Sequence, residues 1–189
     1  YLLDVSVNPE DSTLAGSNTI HYTVLQPAKV MQIDLQSPLQ IKKITQDGKA
    51  LSFKREGNAF FIELLKKQIP KNRESIQVFY SGRPHVAVRP PWDGGIQWTR
   101  DSTNQWFIAT SCQGIGASVW WPCKDHMYDE PDSMLIRVTV PKPLIDVSNG
   151  KLRKVTDRGD GWHTFDWFVS NPINNYGVNL NIGNYVHWT

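Results

Sequence analysis

Two cysteines, five histidines and a knot of acids are the side chains of this 189-residue sequence whose types suit metal binding or catalysis. Cys112, Cys123 and His126 offer three soft or borderline donors, and Asp125 or Asp129 a fourth, which is the right number for tetrahedral zinc. Their spacing matches no established zinc pattern, because structural zinc sites draw on close cysteine pairs. The simpler reading is two thiols packed as small apolar groups, with a disulfide as the alternative. None of His21, His85, His126, His163 and His187 is followed by Glu, so the sequence carries no helical His-Glu-x-x-His. Gly114-Ile115-Gly116-Ala117-Ser118 has no nucleophile at the centre of a Gly-x-Ser-x-Gly elbow, and it lacks the third glycine of a dinucleotide loop. Asp125, Asp129, Glu130 and Asp132 suit Ca²⁺ or proton exchange, or they merely edge an exposed turn around Pro131. No catalytic constellation emerges, and no metal ligand set is assigned.

Tryptophan is the other unusual component. Eight Trp outnumber seven Phe and six Tyr, and Trp92, Trp98, Trp106, Trp120 and Trp121 lie close in sequence. Such rings either fill a core or an interface, where each buries about 150–250 Å², or form a platform for sugars or peptides.

The elements that must position these groups are strands. Twelve prolines interrupt the chain, and little of it shows helical recurrence. Ile20, Tyr22 and Val24 alternate with polar residues, as do Met31, Ile33 and Leu35, then Ile76, Val78 and Tyr80. Met134 to Val140 and Val178, Leu180 and Ile182 repeat the pattern. Asp47-Gly48 and Glu56-Gly57-Asn58 read as hairpin turns, and Asp101–Asn104 and Arg158–Gly161 as further reversals. Roughly a dozen strands without a long helix predict an all-β sandwich or barrel-like assembly. Ser81–Gly95, with Pro84, Pro90, Pro91 and Gly94-Gly95, is the main irregular stretch.

Length favours a single domain over residues 1–189, and 40% hydrophobic residues an ordinary packed one. The longest apolar runs are far short of the ~20 residues of a membrane span. A formal charge of +2 gives no reason to expect nucleic acid or anionic lipid. Residues 42–73 are more basic, with nine Lys or Arg against Asp47, Glu56 and Glu63. They read as solvated faces of strands and turns, with an anion-binding patch as the alternative. The sequence opens at Tyr1 and reads as a trimmed fragment or processed product. One possible disulfide does not fix a compartment, and an exported location, periplasmic or at the surface, is preferred to the cytoplasm as an expectation.

Ala109-Thr110-Ser111-Cys112-Gln113-Gly114-Ile115, then Trp121-Pro122-Cys123-Lys124-Asp125, then Asp129-Glu130-Pro131-Asp132, form an ordered series. It resembles the N-terminal domain of the M1 family of zinc aminopeptidases, in its aminopeptidase N-like, bacterial branch. There a Thr-Gln-x-Glu/Gln strand precedes a Phe-Pro-Cys-x-Asp-Glu-Pro segment and a strand ending in Val-x-Val-Pro, here Arg137-Val138-Thr139-Val140-Pro141. Leu14-Ala15-Gly16, Val78-Phe79-Tyr80-Ser81-Gly82, Val147-Ser148-Asn149-Gly150 and Pro172–Tyr185 extend the likeness over nearly the whole chain. Two departures stand out. Ser111 replaces the usual Gln, and His126-Met127-Tyr128-Asp129 separates Lys124-Asp125 from Glu130-Pro131.

The resemblance implies a saddle-like, multi-stranded antiparallel β domain that packs on a thermolysin-like catalytic domain of the same chain. That domain would carry the zinc, the Glu base and a Gly-x-Met-Glu-Asn loop, and this fragment would bind no cofactor of its own. Gln113, with Ser111, would line the cleft that receives the peptide N-terminus. Trp120, Trp121, Pro122, Cys123, Asp125, Glu130 and Pro131 would form the interdomain interface. The competing reading is a free-standing Trp-rich β-sandwich module that binds glycan or peptide.

Overall fold

Alternation of apolar and polar side chains sets the layout of the computed structural model, which describes residues 1–187. Strands are labelled in chain order. β1 (Leu2–Asn8) and β2 (Thr13–Thr23) lead into β3 (Val30–Asp34), β4 (Gln40–Gln46), the short β5 (Lys49–Ala50), β6 (Phe53–Glu56) and β7 (Ala59–Glu63). β8 (Arg73–Gly82), β9 (Gly95–Arg100) and β10 (Trp106–Ser111) occupy the middle. β11 (Met134–Pro141), β12 (Ile145–Asp146), β13 (Lys151–Asp157), β14 (Trp162–Val169) and β15 (Asn181–Gly183) complete the set. The helical content of the described residues is two three-residue 3₁₀ turns, Ala117–Val119 and Asn175–Gly177. The domain is all-β.

Three sheets form. The largest runs β13-β14-β11-β1-β2-β8-β4-β5, a second β12-β15-β10-β9, and a third β3-β7-β6. Named strands pair antiparallel except β1 with β11, which run parallel from Leu2↔Leu135 to Ser6↔Thr139. The central strands of the large sheet turn one set of side chains inward, whereas β13 and β5 at its edges bury none. Leu3, Val5 and Val7 of β1, Ile76, Val78 and Tyr80 of β8, and Met134, Ile136 and Val138 of β11 are all buried. They join inward residues of the two smaller sheets in one continuous apolar cluster, whose largest members are Trp120 and Trp121. On the outer face Arg137 of β11 reaches Asp4 of β1 and Asp166 of β14, each at 3.1 Å, which ties three strands across their backbones.

Local chemistry explains the turns and the closest approach. Asp47 and Gly48 both take positive φ (50° and 75°), the requirement of a two-residue hairpin loop, and Thr45 pairs with Ala50 across it. Gly16 of β2 sits opposite Val5, where a Cβ would lie 2.0 Å from the carbonyl oxygen of Asp4. Any side chain there would force the two central strands apart. One strand is shorter than its pattern predicts. Val178, Leu180 and Ile182 are all fully buried on one side, but only Asn181–Gly183 joins a ladder. The preceding stretch is held by side chains instead, with Asn179 N donating to Asn149 Oδ1 (2.9 Å) and Leu180 N to Thr110 Oγ1 (2.9 Å).

Candidate functional site

β10 delivers the chain to a turn that begins at Cys112 and is bent at Gly114 and Gly116, both at positive φ (84° and 95°). The 3₁₀ turn Ala117–Val119 follows, then Trp120 to Cys123, and Cys123 forms a bridge with Asp34 of β3. Asp125 closes this loop on itself. Its carboxylate accepts from Ala117 N and Ser118 N, each at 3.1 Å, and from the Ser118 hydroxyl, while its own N–H donates to Asp34 Oδ2 (3.1 Å). Gly116 is required beside it, because a Cβ there would lie 2.3 Å from Asp125 Oδ2.

Gln113 stands at the outside of this brace. It is exposed, and among the described residues its amide has no hydrogen-bond partner. With Gly114, Ile115, His126, Met127 and Tyr176 it lines an open groove of about 560 Å³. Met127 is 65% and Tyr128 82% exposed, so the residues between Asp125 and Asp129 present apolar surface beside the amide. Ser111 does not face the groove in the same way. Its hydroxyl donates to Pro91 O (2.8 Å) and fastens the irregular 83–94 loop, which carries Trp92 at 87% exposure.

Of the residues expected at the interdomain interface, Trp120, Trp121 and Cys123 have no exposed surface in this chain and Pro122 is buried. Their composition, unusual for a surface loop, is that of a core plug: Trp121 packs on Tyr1 with ring centres 5.5 Å apart and on Trp120 at 6.0 Å. Asp125 has both oxygens committed to the loop. Glu130 is exposed and Pro131 half-buried. The five-tryptophan platform does not form either, since Trp98 and Trp106 are half-buried and only Trp92 of that group offers its ring to solvent.

The acids also disperse. Asp129 accepts from Tyr1 Oη and Asn175 Nδ2, each at 2.9 Å, and pairs with Lys124 at 3.1 Å, whereas Glu130 and Asp132 face water. Among the described residues no three His, Cys, Asp or Glu side chains converge as metal ligands. Cys112 and Cys123 are free, buried thiols. Burial, aided by Asp125, pushes the Cys112 thiol up to about 12 and the Cys123 thiol well above its ordinary value. Because the thiolate is the nucleophile, neither cysteine should react with an aromatic disulfide reagent in the native protein, and both should react in denaturant. Rapid labelling of either thiol in the folded chain would contradict that placement.

Fold and site together define an all-β domain that presents an open groove beside Gln113. The chain belongs to the Peptidase M1 N-terminal domain family, whose model matches residues 1–176. No curated protein matches the sequence. Among solved structures, the M1 zinc metallopeptidase from Deinococcus radiodurans superimposes with a TM-score of 0.82 at 21% identity, over 96% of this chain and 40% of that one. A mutant of the Deinococcus radiodurans enzyme bound to a Tyr-Ser-Ala substrate gives a TM-score of 0.81 at 20% identity, over 96% of this chain and 41% of that one. A two-domain M1 zinc metallopeptidase mutant bound to L-arginine gives 0.81 at 21% identity, with the same coverage. These similarities establish the shared fold, and the chain spans about two fifths of the length of the structures it matches.

Sequence reading did not single out Met127 and Tyr128 as exposed apolar residues, and it weighed Trp92 only as one of a tryptophan cluster. A faint signal was present: two of them fall in the four-residue insertion and the third in the proline-rich stretch, where large apolar side chains have no strand to bury them.

Proposed function

We propose that this domain is the noncatalytic N-terminal part of a zinc-dependent aminopeptidase. It packs on a catalytic domain of the same polypeptide and contributes Gln113 to the cleft that binds the peptide N-terminus. The zinc belongs to that other domain, since the described residues here offer no convergent donor set for it. Family membership supports the reading, and the unpartnered Gln113 amide in the groove carries it.

The chemistry of that amide is positioning. Its carbonyl oxygen accepts a hydrogen bond from a peptide α-ammonium, and its NH₂ donates to a neighbouring acceptor. Holding the N-terminus fixed turns an encounter into an oriented complex without moving a proton. The loop is suited to this, because Asp125 and Gly116 brace the backbone that carries Gln113. Met127, Tyr128 and Trp92 give the partner domain apolar surface that isolated domains rarely leave uncovered.

In the full-length enzyme, Gln113→Ala should raise KM about tenfold and change kcat less than about twofold, as expected for an interaction equal in ground and transition states. Unchanged kinetics across several aminoacyl substrates would remove Gln113 from the cleft.

A further inference from the structure

The basic stretch noted in the sequence takes no part in the groove around Gln113. Its last third and the turn after β2 are laced into one platform. Val24 N donates to Asn72 O (2.9 Å), Lys71 N to Val24 O (2.8 Å), Gln68 N to Ala28 O (2.9 Å) and Leu64 N to Lys29 O (2.8 Å). Underneath, the buried Gln68 side chain accepts from Tyr22 Oη (2.9 Å) and donates to Lys66 O (3.0 Å), and Leu65 N donates to Gln46 Oε1 (3.2 Å). These loops are fixed by backbone and buried amides, yet they hold aliphatic side chains out in water. Leu25 is 85% exposed, Ile69 60%, Val30 52% and Leu65 45%.

Charge on the platform has one sign. Residues 24–30 and 64–73 contain Lys29, Lys66, Lys67, Lys71 and Arg73 and not one acid. Of the flanking acids, Glu74 pairs with Lys66 at 3.4 Å, and Glu63 accepts from the Ser52 hydroxyl at 2.7 Å and keeps its charge, so the basic residues remain in excess. The whole-chain charge of +2 hides this, but a surface charge acts only over a Debye length of ~8 Å at physiological salt, so the local excess is what a neighbouring surface meets.

We propose that this platform docks on an anionic phospholipid bilayer, with Leu25 and Ile69 entering the boundary between headgroups and acyl chains and the lysines meeting lipid phosphates. Protruding aliphatic tips among exposed lysines are the arrangement that binds the plane of a membrane without crossing it. A protein partner fits less well. The groove between the loops, lined by Val24, Val30 and Leu64 among others, holds about 170 Å³. That is below the ~300 Å³ at which small-molecule pockets begin, so the platform meets a partner as an open surface and not as an enclosed pocket. The inference does not rest on the catalytic-domain reading, and either can fail alone.

Co-sedimentation of the chain with phosphatidylserine-rich vesicles, against pure phosphatidylcholine vesicles, is the test. Binding should be selective for the anionic vesicles and weaken as salt rises. Lys66→Gln and Lys67→Gln should each weaken it about fivefold, and Leu25→Ser and Ile69→Ser about tenfold each. All four side chains are exposed, so the melting temperatures should stay at the unsubstituted value. Absence of vesicle binding, or equal binding by all variants, would overturn the proposal. Capture on immobilised polyglutamate without vesicle binding would overturn it too, in favour of an acidic protein partner.

Discussion

Asp125→Ala should lower the melting temperature of this domain by about 6–12 °C, equivalent to roughly 3 kcal/mol in a chain of this length. One carboxylate accepts from two backbone N–H groups and a hydroxyl, and the residues that donate, Ala117 and Ser118, are buried. Hydrogen bonds to a charged group contribute about 1.5–3 kcal/mol each, and donors left unsatisfied cost about 1–3 kcal/mol. These terms do not simply add, because Asp125 is half-exposed and water reaches part of the vacated space. Gly116→Ala should reproduce the loss by another route, since its new Cβ would occupy the position of the Asp125 carboxylate. Thermal melts followed by circular dichroism check both. A drop below about 2 °C for Asp125→Ala would mean that water replaces the brace and that the acid acts elsewhere.

This brace shows where the sequence was legible and where it was not. Strands were readable because a period of two is written into consecutive residues: Met134, Ile136, Val138 and Val140 alternate in sequence and are all buried in the structure. Two-residue turns were readable for the same local reason, as Asp47-Gly48 shows with both φ values positive. Sheet order was not, because the β1–β11 pairing joins residues more than 130 positions apart. Motif order pointed to the loop around Gln113, whereas Trp120 and Trp121, expected at an interface, are buried in the core. A cluster of large rings reads alike whether it plugs a core or covers an interface, and only the sheets around it decide. Asp125 looked like one acid among four. Two of its three donors are backbone amides, which carry no residue-type signal at all.

Asp146→Asn should stabilise the domain by an amount that grows with pH, from about 3–6 °C in melting temperature at pH 5 to more than about 10 °C at pH 8. Asp146 of β12 is fully buried, accepts from Trp167 Nε1 at 2.9 Å through Oδ2, and has no partner for Oδ1. Burial pushes its carboxyl up to about 8 against the opposing hydrogen bond from Trp167. The sign follows from proton counting. Between the unfolded value of 3.8 and the folded value of about 8, the folded chain holds a proton that the unfolded chain has released. Stability therefore falls as pH rises through that window, by at most ~1.4 kcal/mol per pH unit, and levels off once the folded carboxyl also ionises. Asparagine stays neutral throughout and keeps an oxygen for Trp167, so it mimics the protonated acid at every pH. Asp93, Asp101 and Asp157 are shifted the other way, and their contributions change near and below pH 4, outside the measured range. Every other ionisable group is common to both chains and cancels in the difference. Parallel melting curves for the two proteins from pH 5 to pH 8 would show that Asp146 is ionised in the native state, with a solvent molecule satisfying Oδ1.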